Sequence, residues 1–238
     1  LQGEGLTLSG VGDLKLRIDF HVHTVCSRDS LIQIEELVPR CRATGLDGLA
    51  VTDHDTLEGA LRAMKRCKDI IIIPGMEIET SEGHVLALNV RKVVKKSPDF
   101  SETIENIHEL GGIAVIAHPF SILKPIVDVD ILSTSSLDAV EVANATSFPY
   151  SLMMRKSKTL AERLGLPMTG GSDAHFSTVI GRSYTVVDSD SREVSDILEA
   201  VREGRTEVVG GGITLKERII KVFKKPISIL PLPPSGRG

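Results

Sequence analysis

Short apolar runs alternate along the chain with segments of helical periodicity, from about residue 14 to about residue 209. The runs that end in polar motifs are Leu14 to Phe20, Gly48 to Val51, Ile70 to Ile73, Ile113 to Ala117 and Met168 to Gly170. Continuous apolar runs of this length are typical of strands that are buried on both faces of a parallel sheet. Their alternation with helices predicts an α/β domain.

Helices are predicted between these runs, with recognisable start and stop signals. Ser30 and its neighbours are expected to cap the first helix, Pro39 to kink it or mark its start, and Gly45 to end it. Ser101 is a predicted cap of the third helix. The predicted helices are Ile34 to Thr44, Leu57 to Lys68, Ser101 to Leu110, Ser151 to Leu164 and Ser191 to Glu203.

Four further strands complete the predicted pattern: Gly83 to Val90, Val140 to Ala143, Tyr184 to Val187 and Glu207 to Val209. The total is roughly seven strand-helix units, one fewer than in the standard eightfold barrel. Residues 1–212 are therefore expected to form a barrel domain after a glycine-rich start.

The last part of the chain, residues 213–238, has a different composition. Leu215 to Lys225 is predicted to form a basic amphipathic helix, and residues 226–238 contain four of the eleven prolines. The helix is expected to cover the open end of the barrel. The alternative is a tail that binds a partner or touches nucleic acid.

Composition limits the classes of protein to consider. With 238 residues, 41% of them hydrophobic, the chain can build one domain with a full core. A net charge of −4 does not fit a dedicated nucleic-acid binder. Three cysteines without CxxC spacing (Cys26, Cys41 and Cys67) argue against disulfides, and no apolar run approaches about 18 residues, so a soluble, cytoplasmic protein with reduced thiols is expected.

Histidines and carboxylates follow the predicted strands. Six of the seven histidines lie in such motifs, and only His108 stands apart, on a predicted helix, where a solvated or hydrogen-bonded role is expected. Strand ends on one face are where α/β barrels place their chemistry. The motifs are Asp19 to His23, Thr52 to Asp55, Gly75 to Glu79, Gly83-His84, Ala117 to Pro119 and Gly171 to His175.

These residue types predict a metal centre. A single histidine is more often an ordinary hydrogen-bonded residue, but burying six of them with several acids is costly unless they are paired or coordinated. His21 and His23 are two apart in an extended segment, so both can point at one ion. Glu77 can bridge two ions because a carboxylate has two oxygens.

The remaining ligand candidates complete the predicted centre. His84 and His118 would complete the ligands of the second ion, and Asp173 would bind the first ion. A third ion could use His54, His175 and either Asp53 or Asp55.

With these motifs, the segment from about Leu14 to Val209 resembles the PHP (polymerase and histidinol phosphatase) superfamily of metal-dependent phosphoesterases. The resemblance implies a distorted TIM-like (β/α)7 barrel with two or three divalent ions of manganese, zinc or iron. It assigns His21, His23, Glu77 and Asp173 to one ion, Glu77, His84 and His118 to a second, and His54 and His175, with help from Asp29, to a third.

The same resemblance suggests a mechanism. A hydroxide bridging the first two ions would attack phosphorus in line, while the third ion and nearby cations hold the phosphate. Catalytic roles are expected for Glu77, Asp173, His175 and His54. Phosphate contacts are predicted for Arg28, Lys124 and Arg182, although a surface cation is more often only solvated.

Two other residues near the motifs have alternative interpretations. Asn144 follows a Val-Glu-Val strand and either points into the site or organises a turn. Cys26 is close to the first ligands and is expected to fill space as a half-buried thiol.

Three functions fit these predictions. The leading one is a phosphatase or phosphodiesterase for a small phosphorylated metabolite or nucleotide. The others are an exonuclease that acts on oligonucleotide ends, and a non-catalytic barrel subunit of a nucleic-acid-processing complex, against which the intact ligand set argues. Only 40 residues separate Glu77 from His118, which leaves little room for a capping insertion, so an open cleft is expected.

Overall fold

A computed structural model describes residues 14–97, 99–120 and 129–223 of the chain. The glycine-rich start, Lys124 and the proline-rich segment after residue 225 lie outside the described residues. Within the described part, no helix is long and apolar enough to cross a bilayer.

Nine strands of the described chain form one sheet in the order β7-β6-β5-β4-β3-β2-β1-β8-β9. Their bounds are β1 (Leu14–Val22), β2 (Gly48–Val51), β3 (Ile71–Thr80), β4 (Gly83–Leu88), β5 (Ile113–Ala117), β6 (Ala139–Asn144), β7 (Met168–Gly171), β8 (Ser183–Ser189) and β9 (Thr206–Gly210). Strands β1 to β7 form the wall of a nearly closed barrel, so the predicted distorted seven-stranded barrel is confirmed.

Seven helices accompany the strands: α1 (Ile34–Thr44), α2 (Glu58–Arg66), α3 (Phe100–Glu109), α4 (Val129–Thr134), α5 (Tyr150–Leu164), α6 (Val194–Arg202) and α7 (Leu215–Phe223). Six of them agree with the sequence predictions to within a few residues. The short α4 was not predicted.

The predicted helix caps were wrong at two positions. The Ser30 hydroxyl donates to the carbonyl of His23, and the N-cap of α1 is instead Gln33, whose N–H donates to Glu36 at 2.9 Å. At α3 the cap is Asp99, which accepts the N–H of Glu102 at 2.9 Å. Both errors concern competing polar residues within three positions of each other.

The end of α1 was predicted correctly. Gly45 ends this helix in the left-handed conformation with φ of 71°. Pro39 is accommodated inside α1, which continues to Thr44.

The prediction of seven strand-helix units was wrong at two places. Strand β3 continues to Thr80, and only two residues join it to β4, so the two strands must pair antiparallel. Strand β4 is also antiparallel to β5. Strands β8 and β9 are not parallel strand-helix units either. Strand β8 pairs antiparallel with β1, and β9 pairs antiparallel with β8.

The barrel closes between β1 and β7. At the carboxyl end the Asp173 N–H donates to the carbonyl of His21 at 2.8 Å, and Val22 and Ala174 form a parallel bridge. Lower in the seam, the Thr185 hydroxyl of β8 accepts the N–H of Gly170 at 2.8 Å. Strand β8 thus fills the part of the seam that β1 and β7 leave open.

Side chains of the barrel strands alternate between an interior core and an outer core under the helices. On β5, Ile113 and Val115 belong to the interior cluster. Ala114 and Ile116 belong to the outer cluster, together with residues of α3 such as Ile104. This alternation determines which residues at each strand end face the barrel axis.

Strand β1 breaks its own alternation immediately before the first histidine motif. Ile18 and Phe20 lie in the interior core, but Val22, which has the same parity, lies in the outer core. The pairing of β1 with β2 shifts register between Asp19 and Val22, which marks a bulge. The bulge turns His21 and His23 inward in place of the next apolar residues.

Helix α6 covers the interior core at the end where the parallel strands begin. Its residues Ile197 and Val201 join the interior cluster. Arg202, at the end of α6, donates to Asp138 at 2.9 Å just before β6 and to the carbonyl of Gly112 at 3.4 Å just before β5. We call this end of the barrel the floor.

Gly171 allows the seam to close, and its replacement tests this. A Cβ atom at position 171 would lie 2.5 Å from His21 Cβ and 2.8 Å from His21 N. We expect Gly171→Ala to lower the free energy of unfolding in urea by about 1–3 kcal/mol, the usual cost of overpacking. Gly211→Ala is the control, since nothing lies within 4 Å of its Cβ position; equal stability of the two variants would contradict this role.

Candidate metal centre

The structure brings the predicted ligand residues together at the carboxyl end of the barrel. All six motif histidines and three carboxylates lie in one connected network of close nitrogen-oxygen contacts. These nine residues are His21, His23, Asp29, His54, Glu77, His84, His118, Asp173 and His175.

Glu77 lies at the middle of this network, where the interior face of β3 reaches the barrel end. Its Oε2 atom is 3.3 Å from His21 Nε2, 3.2 Å from His23 Nε2 and 3.3 Å from His54 Nδ1. Asp173 Oδ1 completes this side, at 3.7 Å from His21 Nε2 and 3.4 Å from His23 Nε2.

The other oxygen of Glu77 faces a second set of ligands. Its Oε1 atom contacts His84 Nδ1 and lies 3.0 Å from His118 Nε2. His84 points inward because it shares the parity of Leu86 and Leu88, the interior residues of β4. His118 follows directly after β5. The two oxygens of one carboxylate therefore face two separate sets of imidazoles, three on Oε2 and two on Oε1, which is the arrangement that a bridging ligand requires.

A third group of ligands includes Asp29, from the loop after β1. Asp29 Oδ2 is 2.9 Å from His175 Nε2 and 3.4 Å from His54 Nε2. With His23, these three residues bring four ligand atoms within 4.8 Å of one another.

The alternative third-ion ligands suggested by spacing lie elsewhere. Asp53 is buried and accepts hydrogen bonds from the N–H and the hydroxyl of Thr24. Asp55 is half-exposed and pairs with Lys96 at 3.1 Å. Both carboxylates are therefore paired with residues of neighbouring loops. The carboxylate next to His54 and His175 is that of Asp29.

The separations fit a divalent cation. Ligands bound about 2.0–2.1 Å from one ion lie about 2.8–3.4 Å apart at octahedral and tetrahedral angles. The contacts of Glu77 Oε2, at 3.2–3.3 Å, fall in this range. Among the described residues, buried His23 Nδ1 and Asp29 Oδ1 have no hydrogen-bond partner. Nitrogen and carboxylate oxygen suit manganese, iron and zinc.

Two of the candidate ligands adopt an uncommon backbone conformation. His118 has φ of 32° and Asp173 has φ of 50°, both in the left-handed region. Non-glycine residues reach this region at an energetic cost that the surrounding structure has to outweigh. The strain lies at the strand ends of β5 and β7, where the chain turns each ligand toward the centre.

Strong electrostatic coupling accompanies this geometry. Burial would lower the pKa of His21 and His23, but the nearby carboxylates outweigh it. Attraction to Glu141, Glu77 and Asp173 raises the pKa of His21 well above its ordinary value, and hydrogen bonds to Asp173 and Glu77 raise the pKa of His23 to about 9. Burial would raise the pKa of Glu77, but these histidines hold it well below its usual range.

Sequence reasoning missed one residue of the centre, Glu141. It is 1% exposed on β6, and its carboxylate accepts from His21 Nδ1 at 3.0 Å and from the His118 N–H at 2.9 Å. A glutamate within the apolar strand Ala139–Asn144 was the available signal, because an unpaired charge is too costly to bury there. Glu141 fixes the orientation of His21, so that His21 Nε2 faces Glu77 and His23.

Asn144 has both of its anticipated roles. Its amide donates to Glu141 at 3.1 Å, and its side-chain oxygen accepts from the Thr146 N–H at 3.0 Å in the turn after β6. The Thr146 hydroxyl in turn donates to Asp173 Oδ2 at 2.6 Å. The β6–α5 loop is thereby attached to a candidate ligand.

Two of the three predicted phosphate-binding cations are among the described residues. Arg28 is exposed next to Asp29, whereas Arg182 pairs with Glu217 of α7 at 2.7 Å. Lys124 lies outside the described residues.

Two residues outside the ligand set agree with their predicted roles. Cys26 is half-buried, and burial raises the pKa of its thiol. His108 pairs with Asp138 at 2.8 Å near the floor, which confirms a hydrogen-bonded helical role.

Sequence comparisons connect the chain to known proteins. A family model described as PHP-associated matches residues 154–206. A protein of Methanocaldococcus jannaschii described as uncharacterized is 31% identical over 142 residues, which cover 55% of this chain and 82% of that protein. A 5'-3' exoribonuclease of Haemophilus influenzae is 32% identical over 105 residues, 42% of this chain and 38% of the exoribonuclease.

Solved structures share the fold. A two-domain protein of Bacteroides vulgatus containing a predicted PHP-like metal-dependent phosphoesterase superposes with a TM-score of 0.72 at 20% identity, over 90% of this chain and 71% of that one. The lesion-specific endonuclease of Pyrococcus furiosus superposes with a TM-score of 0.62 at 14% identity, over 90% and 68% of the two chains.

Fold and site together define a barrel hydrolase of the metal-dependent class, with its ligands at the carboxyl ends of the strands. The chain belongs to the PHP superfamily of metal-dependent phosphoesterases. Members of this class are hydrolases that act on phosphate esters.

Glu141 provides a first test of the site. We expect Glu141→Gln to weaken metal binding about 10- to 100-fold, the usual effect of losing a carboxylate behind a metal-bound histidine. Competition with a chelator for manganese measures the affinity. Glu199→Gln on the exposed face of α6 is the control, and unchanged affinity in Glu141→Gln would contradict the orienting role.

Proton release provides a second test. Because the pKa of His23 is raised to about 9, its imidazole holds a proton below that pH, and a metal ion must displace it. Affinity should therefore fall as pH is lowered from about 9 and level off above it. Calorimetric titration with manganese at pH 7.5 in two buffers of different ionisation enthalpy should give different heats, whereas identical heats would show that no proton is released.

Proposed function

We propose that this protein hydrolyses phosphomonoesters or phosphodiesters of small metabolites or nucleotides. In this proposal it uses two or three divalent ions of manganese, zinc or iron, held by the nine residues of the network. The observation that carries the proposal is the position of Glu77, whose two oxygens each face a separate set of imidazoles.

The ions would supply a Lewis acid for the phosphoryl oxygens and a hydroxide nucleophile at neutral pH. The residues of the chain hold these groups in place. Asp173 is oriented by Thr146, and His21 by Glu141, so two of the ligands have a second polar partner that fixes them. Preorganised ligands of this kind lower the reorganisation needed in the transition state.

Differences in exposure indicate the side from which a substrate enters. The side chains of His21 and His23 are fully buried, whereas that of His54 is 34% exposed. Asp29 is also partly exposed, at 29%. A substrate phosphate would therefore approach over the His54, His175 and Asp29 group, consistent with the expected catalytic roles of His54 and His175.

The cleft accommodates more than one size of substrate in this proposal. Most of the chain between Glu77 and His118 forms β4, α3 and β5, and the described residues of this stretch contain no capping domain. An open cleft supports a second candidate function, cleavage at the end of an oligonucleotide. The partial similarity to an exoribonuclease and the shared fold with an endonuclease favour this candidate.

A non-catalytic barrel is the least supported alternative. Relatives without activity would be free to lose individual ligands, but here all nine candidates converge. Buried carboxylates and imidazoles would be costly to keep without a function.

Hydrolysis of a panel of phosphate esters tests the proposal. Protein reconstituted with manganese should contain two or three ions and hydrolyse at least one of p-nitrophenyl phosphate, mononucleotides, 3',5'-bisphosphates, histidinol phosphate and 5'-phosphorylated oligonucleotides. We expect Glu77→Ala to abolish this activity, because it removes the bridging carboxylate. His108→Ala near the floor should retain it. Persistent turnover in Glu77→Ala would refute the bridging role.

A further inference from the structure

A groove on the rim of the barrel is left unused by the proposed chemistry. Its cavity volume is about 250 Å³, just under the roughly 300–1,000 Å³ of sites for drug-sized ligands. It lies between two segments, the first spanning the end of the β6–α5 loop and the start of α5, and the second leading into α7 and including its first turns. The lining residues are Phe148, Pro149, Tyr150, Ser151, Gly212, Ile213, Leu215 and Arg218.

Phe148 is the most unusual residue of this groove. Its ring is 60% exposed, although large aromatic side chains gain most from burial. The Arg218 guanidinium lies 4.7 Å from the ring centroid, within cation-π distance. Arg218 also donates to the carbonyls of Thr146 at 2.8 Å and Ser147 at 2.7 Å. The ring therefore stands on a loop that α7 holds in place, and it offers a flat apolar surface to solvent.

The groove adjoins a loop that contacts the candidate metal centre. In this loop Thr146 donates its hydroxyl to Asp173 Oδ2 at 2.6 Å. Phe148 is two residues further along, so its Cα lies at most about 7 Å from that of Thr146.

We propose that this groove is a subsite for the leaving group of the substrate, and that it takes a planar nucleobase stacked on Phe148. The inference rests on the proposed hydrolysis of phosphate esters and narrows its substrates to nucleotides and nucleotide ends. An aromatic face binds bases of any sequence, since every base has a π-face. Arg218 adds a positive charge beside the base and the adjoining phosphates.

Paired substrates test the subsite through catalysis. Adenosine 5'-monophosphate and ribose 5-phosphate share sugar and phosphate and differ only in the base. Phe148→Leu keeps apolar bulk but removes the ring, and should lower kcat/KM for the nucleotide about tenfold while leaving ribose 5-phosphate unchanged. An equal loss on both substrates would mean that Phe148 only supports the ligand loop and would overturn the proposal, as would no loss on either.

A binding measurement tests the subsite without any turnover. The chain contains no tryptophan, so Phe148→Trp introduces a single tryptophan. Adenosine should quench the fluorescence of this tryptophan by stacking on it. Val93→Trp is the matched control, because Val93 is 62% exposed and does not line the groove. If no phosphate ester is hydrolysed but adenosine quenches only Trp at position 148, the subsite stands and the proposed function fails. Absence of selective quenching overturns the subsite.

Discussion

The carboxyl end of this barrel is organised around one buried negative charge. Glu77 is 2% exposed, and a carboxylate in such a position is stable only if opposite charges or hydrogen-bond donors surround it. Its partners come from β1, β4 and the segments that follow β2 and β5. Compensation of this charge therefore joins four parts of the chain that are distant in sequence. Forming the site and closing this end of the barrel are one process.

The need to pair buried polar groups also explains Glu141 and Asn144, which lie behind the candidate ligands. Each inner imidazole that faces Glu77 has a second nitrogen, which has to be satisfied or coordinated. Glu141 satisfies His21, and Asn144 and the His118 N–H bind the other oxygen of Glu141. The polar network therefore extends from β3 to β6 and on to the β6–α5 loop. A conformational change in that loop would alter the position of Asp173, because Thr146 donates a hydrogen bond to it.

Sequence patterns predicted most of the strands, the six described helices longer than one or two turns, and the gathering of the histidines at one end. These features follow from apolar periodicity and from the position of polar residues after strands. The pattern did not reveal the bulge in β1, because alternation from Ile18 through Val22 looks regular by hydrophobicity alone. Nor did it reveal that β4 runs antiparallel, which depends on a two-residue turn after an unexpectedly long β3. Spacing also left the third carboxylate open between Asp53 and Asp55, whereas a loop brings Asp29 to His175.

The structural neighbours share this barrel at 14% and 20% identity, which shows how little of the sequence the fold requires. In this chain, α7 reaches back to the β6–α5 loop through Arg218 and to Arg182 through Glu217. Helix α7 is therefore linked by these contacts to the β6–α5 loop and to the start of β8.

The floor of the barrel has an implication for how the protein can change over time. Asp138 accepts hydrogen bonds from Arg202 and Ala114 and pairs with His108, all at the end opposite to the ligands. The apolar interior of the barrel thus separates the polar network around Asp138 from the ligand network around Glu77. Thermal tolerance can be adjusted at one network while chemistry diversifies at the other, and that independence favours a scaffold on which new activities can arise without loss of folding.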